Sequence, residues 1–203
     1  MNKSAPKPAR RSNADMSADT QASAVRAAIA SLAEHGYAGT TISGIAQRVG
    51  VSRPALLYHF GTKNGLMAAA INAIYDEFES AYRAALHPGL QGAERLLAIF
   101  DASYRLTDAP SQMAQIELLL AARRDPSFRA EVAPTIEARD NAFKEAWHRL
   151  TVGFDGRVER LDLIRDIAVS TFRGITINRS LGHDSTSFDG QLGVLRKLLL
   201  DTL

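Results

Sequence analysis

The stretch Thr41-Ile-Ser-Gly-Ile-Ala-Gln-Arg-Val-Gly-Val-Ser-Arg-Pro-Ala-Leu-Leu-Tyr-His-Phe60 predicts two short helices folded sharply against each other. Thr41 can cap the first helix with its hydroxyl group. The apolar residues of this helix recur at helical spacing and must be buried along one side: Ile42, Ile45, Ala46 and Val49. Gly50 then ends the helix, because glycine readily takes the left-handed conformation found at helix C-termini.

A second helix is predicted directly after this turn. Ser52 is its candidate cap, and Pro54 falls in the first helical turn, where the missing N–H costs nothing. The outward-facing residues at its start are Arg53, Ala55, Tyr58 and His59. In helix-turn-helix proteins this part of the second helix contacts base edges and phosphates in the major groove. Small and apolar residues at these spacings would also suit a purely structural helical hairpin.

The flanking sequence favours the helix-turn-helix interpretation. It carries the pattern Glu-x-Gly-Tyr-x-x-Thr-Thr-Ile-x-x-Ile-Ala from Glu34, then Gly-Val-Ser, then Tyr-His-Phe-x-x-Lys-x-x-Leu ending at Leu66. With these motifs, residues 20–66 closely resemble the N-terminal domain of the TetR family of bacterial transcription regulators. One position departs from the family, which commonly has a tyrosine where this chain has Leu57. We therefore assign no phosphate contact to Leu57.

The resemblance and the exposed face of the second helix together predict how this region contacts double-stranded operator DNA. Arg53 would read a base edge or a phosphate, and guanine is its best geometric match. Pro54 and Ala55 would contact apolar base surface. The residues predicted to position the DNA backbone are Thr41, Ser43, Ser52, Tyr58, His59 and Lys63.

Charge and composition agree with this assignment. Residues 1–63 hold eight Lys and Arg against three Asp and Glu, whereas the remainder of the 203-residue chain is net acidic. Phosphate binding requires basic charge at the end that carries the motif. The chain has no cysteine, which excludes disulfides, thiolate zinc sites and thiol nucleophiles. It also has no apolar run long enough to span a bilayer and no signal peptide, so we expect a bacterial cytoplasmic protein, at the nucleoid when bound to DNA.

The fold class predicted from the sequence is all-α. Residues 1–16 are expected to form a disordered basic tail, either solvated or acting as an arm that tracks DNA. Residues 17–64 would form the three-helix DNA-binding domain, and residues 65–203 a larger helical domain for effector binding and dimerisation. The helices predicted in the larger domain are 64–86, 93–105, 112–124, 125–150 with a kink or break at Pro134, 157–181 and 188–203.

The predicted helix 157–181 carries two apolar stripes. One stripe can pack on the chain's own core: Val158, Leu161, Ile164, Ala168, Phe172 and Ile175. The second stripe would form a homodimer interface with the last helix: Leu163, Ile167, Ser170, Gly174, Ile177 and Leu181, together with Leu192, Leu195 and Leu199. Both faces could instead be buried within a monomer. We favour the dimer, as the resemblance implies, because paired half-sites supply the contacts that one helix-turn-helix lacks.

Aromatic and sulfur-containing side chains in the middle helices are candidates for a small-molecule pocket, although such residues also form ordinary cores. The candidates are Phe100, Tyr104, Met113, Ile116, Leu120, Phe143, Trp147 and Phe172. The TetR resemblance implies an effector in this domain, and the sequence does not identify it. Binding would shift the helix that begins near Asn64 and change the separation of the two recognition helices.

The sequence also bears on two other function classes. An enzyme is not predicted, because the sequence contains no zinc-protease motif, phosphate-binding glycine loop or nucleophile elbow. Glu145-x-x-His148 matches half of a di-iron pair, but no second such pair exists, and no cofactor or metal is predicted. The alternative is a constitutive DNA-binding structural or adaptor protein. The preferred prediction is a repressor released from its operator by a small-molecule effector.

Overall fold

The computed structural model of the protein describes residues 13–183 and 186–203, and the side chains of 18–183 and 188–203. Within these ranges the chain is helical and contains no strand, which confirms the all-α prediction. The helices are α1 Asn13–Gly39, α2 Ile42–Val49, α3 Arg53–Phe60, α4 Lys63–Ala85, α5 Ala93–Leu106, α6 Pro110–Arg124, α7 Pro126–Leu150, α8 Val158–Ser180 and α9 Thr186–Leu200. None of the described helices is both long and apolar enough to cross a membrane.

Helix α1 begins within the segment 1–16 that was predicted to be a disordered tail. Residues 1–12 of that tail lie outside the described residues, whereas α1 already begins at Asn13. Toward its other end the helical geometry of α1 breaks at Gly36, with φ 67° and ψ 178°. A β-carbon at Gly36 would lie 2.9 Å from Glu117 Oε2, the end of a flexible side chain of α6, and the positive φ favours glycine at this position.

The turn between α2 and α3 is fixed by the predicted caps. Thr41 Oγ1 accepts a hydrogen bond from Gly44 N (3.1 Å), and Ser52 Oγ accepts one from Ala55 N (3.3 Å). Gly50 lies in the left-handed region with φ 74°. These bonds satisfy backbone N–H groups that would otherwise lack partners at each helix start. The recognition helix is therefore held at a defined angle.

Two apolar cores stabilise the chain. The first runs from the helix-turn-helix into the C-terminal helices and joins Leu32, Leu56 and Leu66 to Leu118 and Phe128. The second is formed mainly by α5, α8 and α9, together with Trp147 of α7. Helix α6 packs on α1 within the first core. The predicted DNA-binding unit, which consists of α1, α2 and α3, therefore rests directly on the helices that follow it.

Helix α7 begins as predicted and continues where a break had been expected. Asp125 Oδ1 accepts hydrogen bonds from Ser127 N (2.9 Å) and Phe128 N (3.1 Å). The bond from Phe128 N is the main reason why the pKa of Asp125 is lowered. Of the predicted kink or break at Pro134, the break is wrong, because α7 passes through this residue and reaches Leu150. A kink at Pro134 stays a prediction.

Candidate functional site

The exposed start of α3 forms the candidate DNA-binding surface. Arg53, Pro54 and Tyr58 are exposed, and Tyr58 retains 86% of its accessible surface. Among the described side chains, no ion pair or hydrogen bond engages the Arg53 guanidinium. Neither the exposed aromatic side chain nor the guanidinium without a described partner has a role in the core, and both are suited to contact DNA.

The neighbouring arginine is not equally available. Arg48 of α2 forms a bidentate ion pair with Glu34 of α1, with N–O distances of 2.8 and 3.0 Å. This pair lowers the pKa of Glu34, chiefly through the hydrogen bond from Arg48. Arg48 therefore links α1 to α2, which leaves Arg53 as the basic group that α3 presents.

His59 is tethered as well as being placed on the predicted surface. Gln21 Nε2 of α1 lies 3.1 Å from His59 Nδ1 in a hydrogen bond, and the imidazole ring packs edge-on against Tyr58. This contact orients the end of α3 relative to α1. Sequence reasoning missed Gln21, because nothing in its local pattern shows that α1 lies beside α3.

The other predicted DNA contacts lie around the same helix-turn-helix. Thr41, Ser43 and Ser52 are exposed, and the first and last of these also serve as helix caps. Ala55 is half-buried. Leu57 packs against the first core, so it does not present a side chain to DNA in the manner of the family's usual tyrosine.

Lys63 has a structural role that the sequence did not predict. Its ammonium group donates to Tyr37 O (2.7 Å) and lies 4.0 Å from the centroid of the Tyr37 ring. Partial burial lowers the pKa of Lys63. Tyr37 Oη in turn donates to Asn64 Oδ1 (3.1 Å). Lys63 therefore joins the start of α4 to the end of α1, and its contact with DNA stays a prediction.

A cavity of about 650 Å³ lies between α4, α5, α6, α7 and α8. Four of the predicted ligand-binding residues line it: Phe100, Phe143, Trp147 and Phe172. The rings of Phe100 and Trp147 are stacked with centroids 6.1 Å apart, and Phe172 meets Phe100 edge-on at 6.5 Å. The cavity volume falls within the range typical of small-molecule sites.

The other four predicted ligand residues do not line this cavity, so their contact with a ligand stays a prediction. Tyr104 donates through its hydroxyl to Asp189 Oδ1 (2.6 Å) outside the cavity, and Leu120 is exposed. Met113 and Ile116 are not in the cavity wall, because α6 turns Gln112 and Gln115 toward it instead. The sequence favoured apolar positions of α6, whereas its polar positions face the cavity.

Polar side chains in the cavity wall were also missed. Tyr75 Oη donates to Asp140 Oδ1 (2.7 Å) across α4 and α7. Burial, and after it this hydrogen bond, raise the pKa of Tyr75. Arg165 and Arg173 of α8 lie in the same wall. These residues come together only through tertiary packing, which no short sequence pattern encodes.

The two stripes of α8 separate as predicted. The first is buried in the chain's own core, with Leu161 fully buried and Ile175 1% exposed. On the second, the side chains of Leu163, Ile167, Ser170, Ile177 and Leu181 are exposed. A β-carbon at Gly174 would meet no atom within 4 Å. The monomer therefore leaves this face of α8 uncovered.

The contribution predicted for α9 needs correction. Leu195 and Leu199 are 3% and 0% exposed and pack in the second core, and Leu192 packs against that core. The apolar residues that α9 exposes are Val194, Leu198 and Leu200. The regular spacing of the leucines marked the internal face of α9, because the same periodicity suits a core stripe and an interface stripe.

No group of three His, Asp or Glu residues that could hold a metal ion occurs within the described ranges. His148 of the Glu145-x-x-His148 pair instead forms a contact of 3.1 Å between its Nε2 and Asp162 Oδ2. This contact joins α7 to α8.

Comparisons with known proteins agree with this geometry. The family model for bacterial regulatory proteins of the TetR family matches residues 24–70. The HTH-type transcriptional regulator CymR of Pseudomonas putida is 28% identical over 184 residues, covering 90% of each chain. The HTH-type transcriptional activator FasR of Mycolicibacterium smegmatis is 27% identical over 137 residues, covering 68% of this chain and 62% of FasR.

Solved structures share the whole fold. A putative TetR-family regulator from Rhodococcus sp. superposes with a TM-score of 0.67 at 20% identity, covering 91% of this chain and 96% of its own. The fatty acid degradation regulator FadR of Bacillus halodurans superposes with a TM-score of 0.65 at 17% identity, covering 95% and 97%. The motif, the helix-turn-helix geometry and the fold lead to one conclusion: residues 24–70 match the DNA-binding domain of the TetR family, and the chain as a whole is similar to TetR-family transcription regulators.

Proposed function

We propose that the protein is a homodimeric repressor that a small-molecule effector releases from its operator. The observation that carries this proposal is the double role of α6. Gln112 and Gln115 of this helix line the cavity, and Glu117 of the same helix contacts the DNA-binding unit. A ligand that displaces α6 therefore acts on the support of the recognition helix.

Tyr37 lies at the centre of this connection. Its backbone N donates to Glu117 Oε2 of α6 (3.3 Å), and its carbonyl oxygen accepts from Lys63 Nζ of α4 (2.7 Å). Its ring packs on Phe128 of α7, with centroids 5.0 Å apart. Three helices of the C-terminal region thus converge on the end of α1, next to the turn that precedes α2.

Helix α4 offers a second route from the cavity. Tyr75 and Phe78 belong to the cavity wall, while Lys63 at the start of the same helix holds α1. A helix transmits displacement along its axis because its backbone hydrogen bonds make it stiff. Movement of α4 in each subunit would change the spacing of the two α3 helices.

Dimerisation rests on the uncovered face of α8. Leu163 is 63% exposed and Leu181 is 67% exposed, so the monomer leaves large apolar side chains in water. A second copy packed on this face would bury them, and the open space at Gly174 permits a close approach. Two α3 helices would then contact two half-sites.

The test is operator binding with and without ligand, using the promoter DNA upstream of this gene. A compound that enters the cavity should quench or shift the fluorescence of Trp147, the only tryptophan. It should also weaken operator binding by roughly 5- to 150-fold, and the operator should weaken binding of that compound by the same factor. Transcription from this promoter in vitro should fall when the protein is added and recover with the compound.

The alternative function, a constitutive DNA-binding structural or adaptor protein, predicts a different result. Ligands would then alter the fluorescence of Trp147 and leave operator affinity unchanged, because equal affinity for both conformations shifts no equilibrium. A rise in transcription upon adding the protein would instead assign an activator role. Either result would contradict the proposed repressor.

A further inference from the structure

We infer that the cavity binds an organic acid, with an apolar body held between aromatic rings and a carboxylate bound by Arg173. The inference rests on the proposed function, because it names the chemical class of the effector for the same cavity. It is carried by the balance of charge in the cavity wall and by the half-buried Arg173 in that wall, together with two enclosed N–H groups that have no partner among the described residues.

Two N–H groups in the wall lack an acceptor. Trp147 is 4% exposed, and its Nε1 is buried without a hydrogen-bond partner. The Nε of Arg173 is equally enclosed and equally without a partner. A buried donor without an acceptor is costly and uncommon in folded proteins. Both nitrogens are enclosed by protein atoms, so a ligand acceptor reaches them only if these side chains move.

The excess of positive charge in the cavity wall favours an anionic ligand. Five cationic side chains line the cavity: Arg95, Lys144, Arg149, Arg165 and Arg173. Only two carboxylates face them, and both are engaged. Asp140 accepts from Tyr75 Oη at 2.7 Å, and Asp166 pairs with Arg165 at 2.9 Å. Among the described residues, no carboxylate forms an ion pair with Arg173.

The position of Arg173 distinguishes it from the other unpaired cations. Lys144 and Arg149 are exposed, so water solvates their charges. Arg173 is half-buried with an enclosed Nε, and it follows Phe172, whose ring is 4% exposed. An anion bound there gains a charge-assisted hydrogen bond away from bulk solvent, where such bonds are strongest.

The rest of the wall suits a flat apolar body. Phe143 stacks on Tyr75 with centroids 5.5 Å apart and meets Tyr82 edge-on at 5.7 Å. Phe100 and Trp147 form a second stacked pair in the same wall. A volume of about 650 Å³ holds an aromatic or alicyclic ring with substituents. The site therefore combines an apolar enclosure with an anchor for one negative charge.

The experiment compares acids with neutral molecules of the same shape. The probes are benzoate, phenylacetate and 2-naphthoate, each against its primary amide, with dissociation constants measured by calorimetry on the full chain. Each acid should bind at least tenfold more tightly than its amide, because the amide carries no charge for Arg173. Phenyl phosphate tests a different anionic group, and tighter binding of phenyl phosphate than of every acid would overturn the assignment to a carboxylate.

Matched variants test whether Arg173 binds the carboxylate. Arg173→Gln should weaken the acids by roughly tenfold to hundredfold and leave the amides unchanged, whereas Arg160→Gln removes the same charge at an exposed position of α8 outside the cavity wall and should change neither. Arg173→Lys, which keeps the charge, should retain part of the preference for acids. Trp147→Phe keeps an aromatic ring and removes the N–H, so it should weaken binding by a smaller factor. Circular dichroism confirms that each variant is folded.

Failure of this inference is distinguishable from failure of the proposed function. Amides that bind as tightly as acids, or no binding by any acid at millimolar concentration, would overturn the inference. If a neutral compound then binds in the cavity and releases the operator, the proposed function is supported and only the inference of an organic acid fails. If acids bind through Arg173 and operator affinity does not change, the binding site stands and the effector-released repressor fails.

Discussion

At the start of α3, Arg53 combines exposure with the absence of a partner among the described side chains. We predict that Arg53→Ala weakens operator binding by about 1–3 kcal/mol and relaxes base preference at one position in each half-site. Fluorescence anisotropy with the operator and with single-base variants measures both effects. Arg123→Ala removes a positive charge from exposed surface at the end of α6 and should leave affinity unchanged. Equal losses in the two variants would contradict specific recognition by Arg53.

Lys63 should behave differently, because it serves the fold and is predicted to contact phosphate. Lys63→Ala removes the donor to Tyr37 O and the cation above the Tyr37 ring, so the melting temperature should fall. It should also weaken binding to all DNA sequences alike and reduce the salt dependence by about one charge. Thermal unfolding and anisotropy at several salt concentrations separate these effects. An unchanged melting temperature would show that the bond to Tyr37 is not stabilising.

At the scale of the helices, the junction of α1 with α6 depends on one glycine. Gly36→Ala places a β-carbon 2.9 Å from Glu117 Oε2 and forces a non-glycine residue to φ 67°. We predict a loss of about 1–3 kcal/mol in the free energy of unfolding, measured by urea denaturation. Gly193→Ala in α9 meets no atom within 4 Å and should stabilise the protein by about 0.4–1 kcal/mol. A neutral Gly36→Ala would show that the Glu117 side chain moves aside and that the backbone accepts a β-carbon at this φ without cost.

The sequence predicted those features of the helices that local chemistry determines. Thr41, Ser52 and Asp125 cap the expected helices, because capping needs only a side-chain acceptor near its own backbone. The internal face of α8 followed from periodicity. The contacts of Arg48 and Lys63 were not predictable, since their partners in α1 are remote in sequence and depend on how the helices pack.

In the ligand cavity too, some residues could be predicted from local sequence and others could not. Phe100 and Phe172 were identified because large apolar side chains at helical spacing must be enclosed somewhere. Arg173 was missed, because an arginine at the edge of an apolar stripe is normally solvated and its sequence gives no sign of burial. The helical spacing of apolar residues therefore predicts which side chains are enclosed. Only the packing of the helices shows which polar groups are enclosed with them.

For the whole molecule, assembly should depend on the uncovered face of α8. Gly174→Glu adds bulk and charge where the monomer has open space, so the chain should fold normally and fail to dimerise. Sedimentation velocity should show a monomer with unchanged helicity and weakened operator binding. Ala138→Glu adds the same charge at an exposed position of α7 and should remain dimeric. A Gly174→Glu variant that remained dimeric would exclude this face as the interface.

The placement of α6 also bears on how ligand preference could diverge among related proteins. Substitutions at Gln112 or Gln115 change the cavity from a helix on which the DNA-binding unit rests, so they are expected to alter operator affinity together with ligand choice. Lys144 and Val169 reach the same cavity from α7 and α8. Selection for a new inducer, or the engineering of a biosensor, would therefore meet fewer conflicting demands on α7 and α8 than on α6.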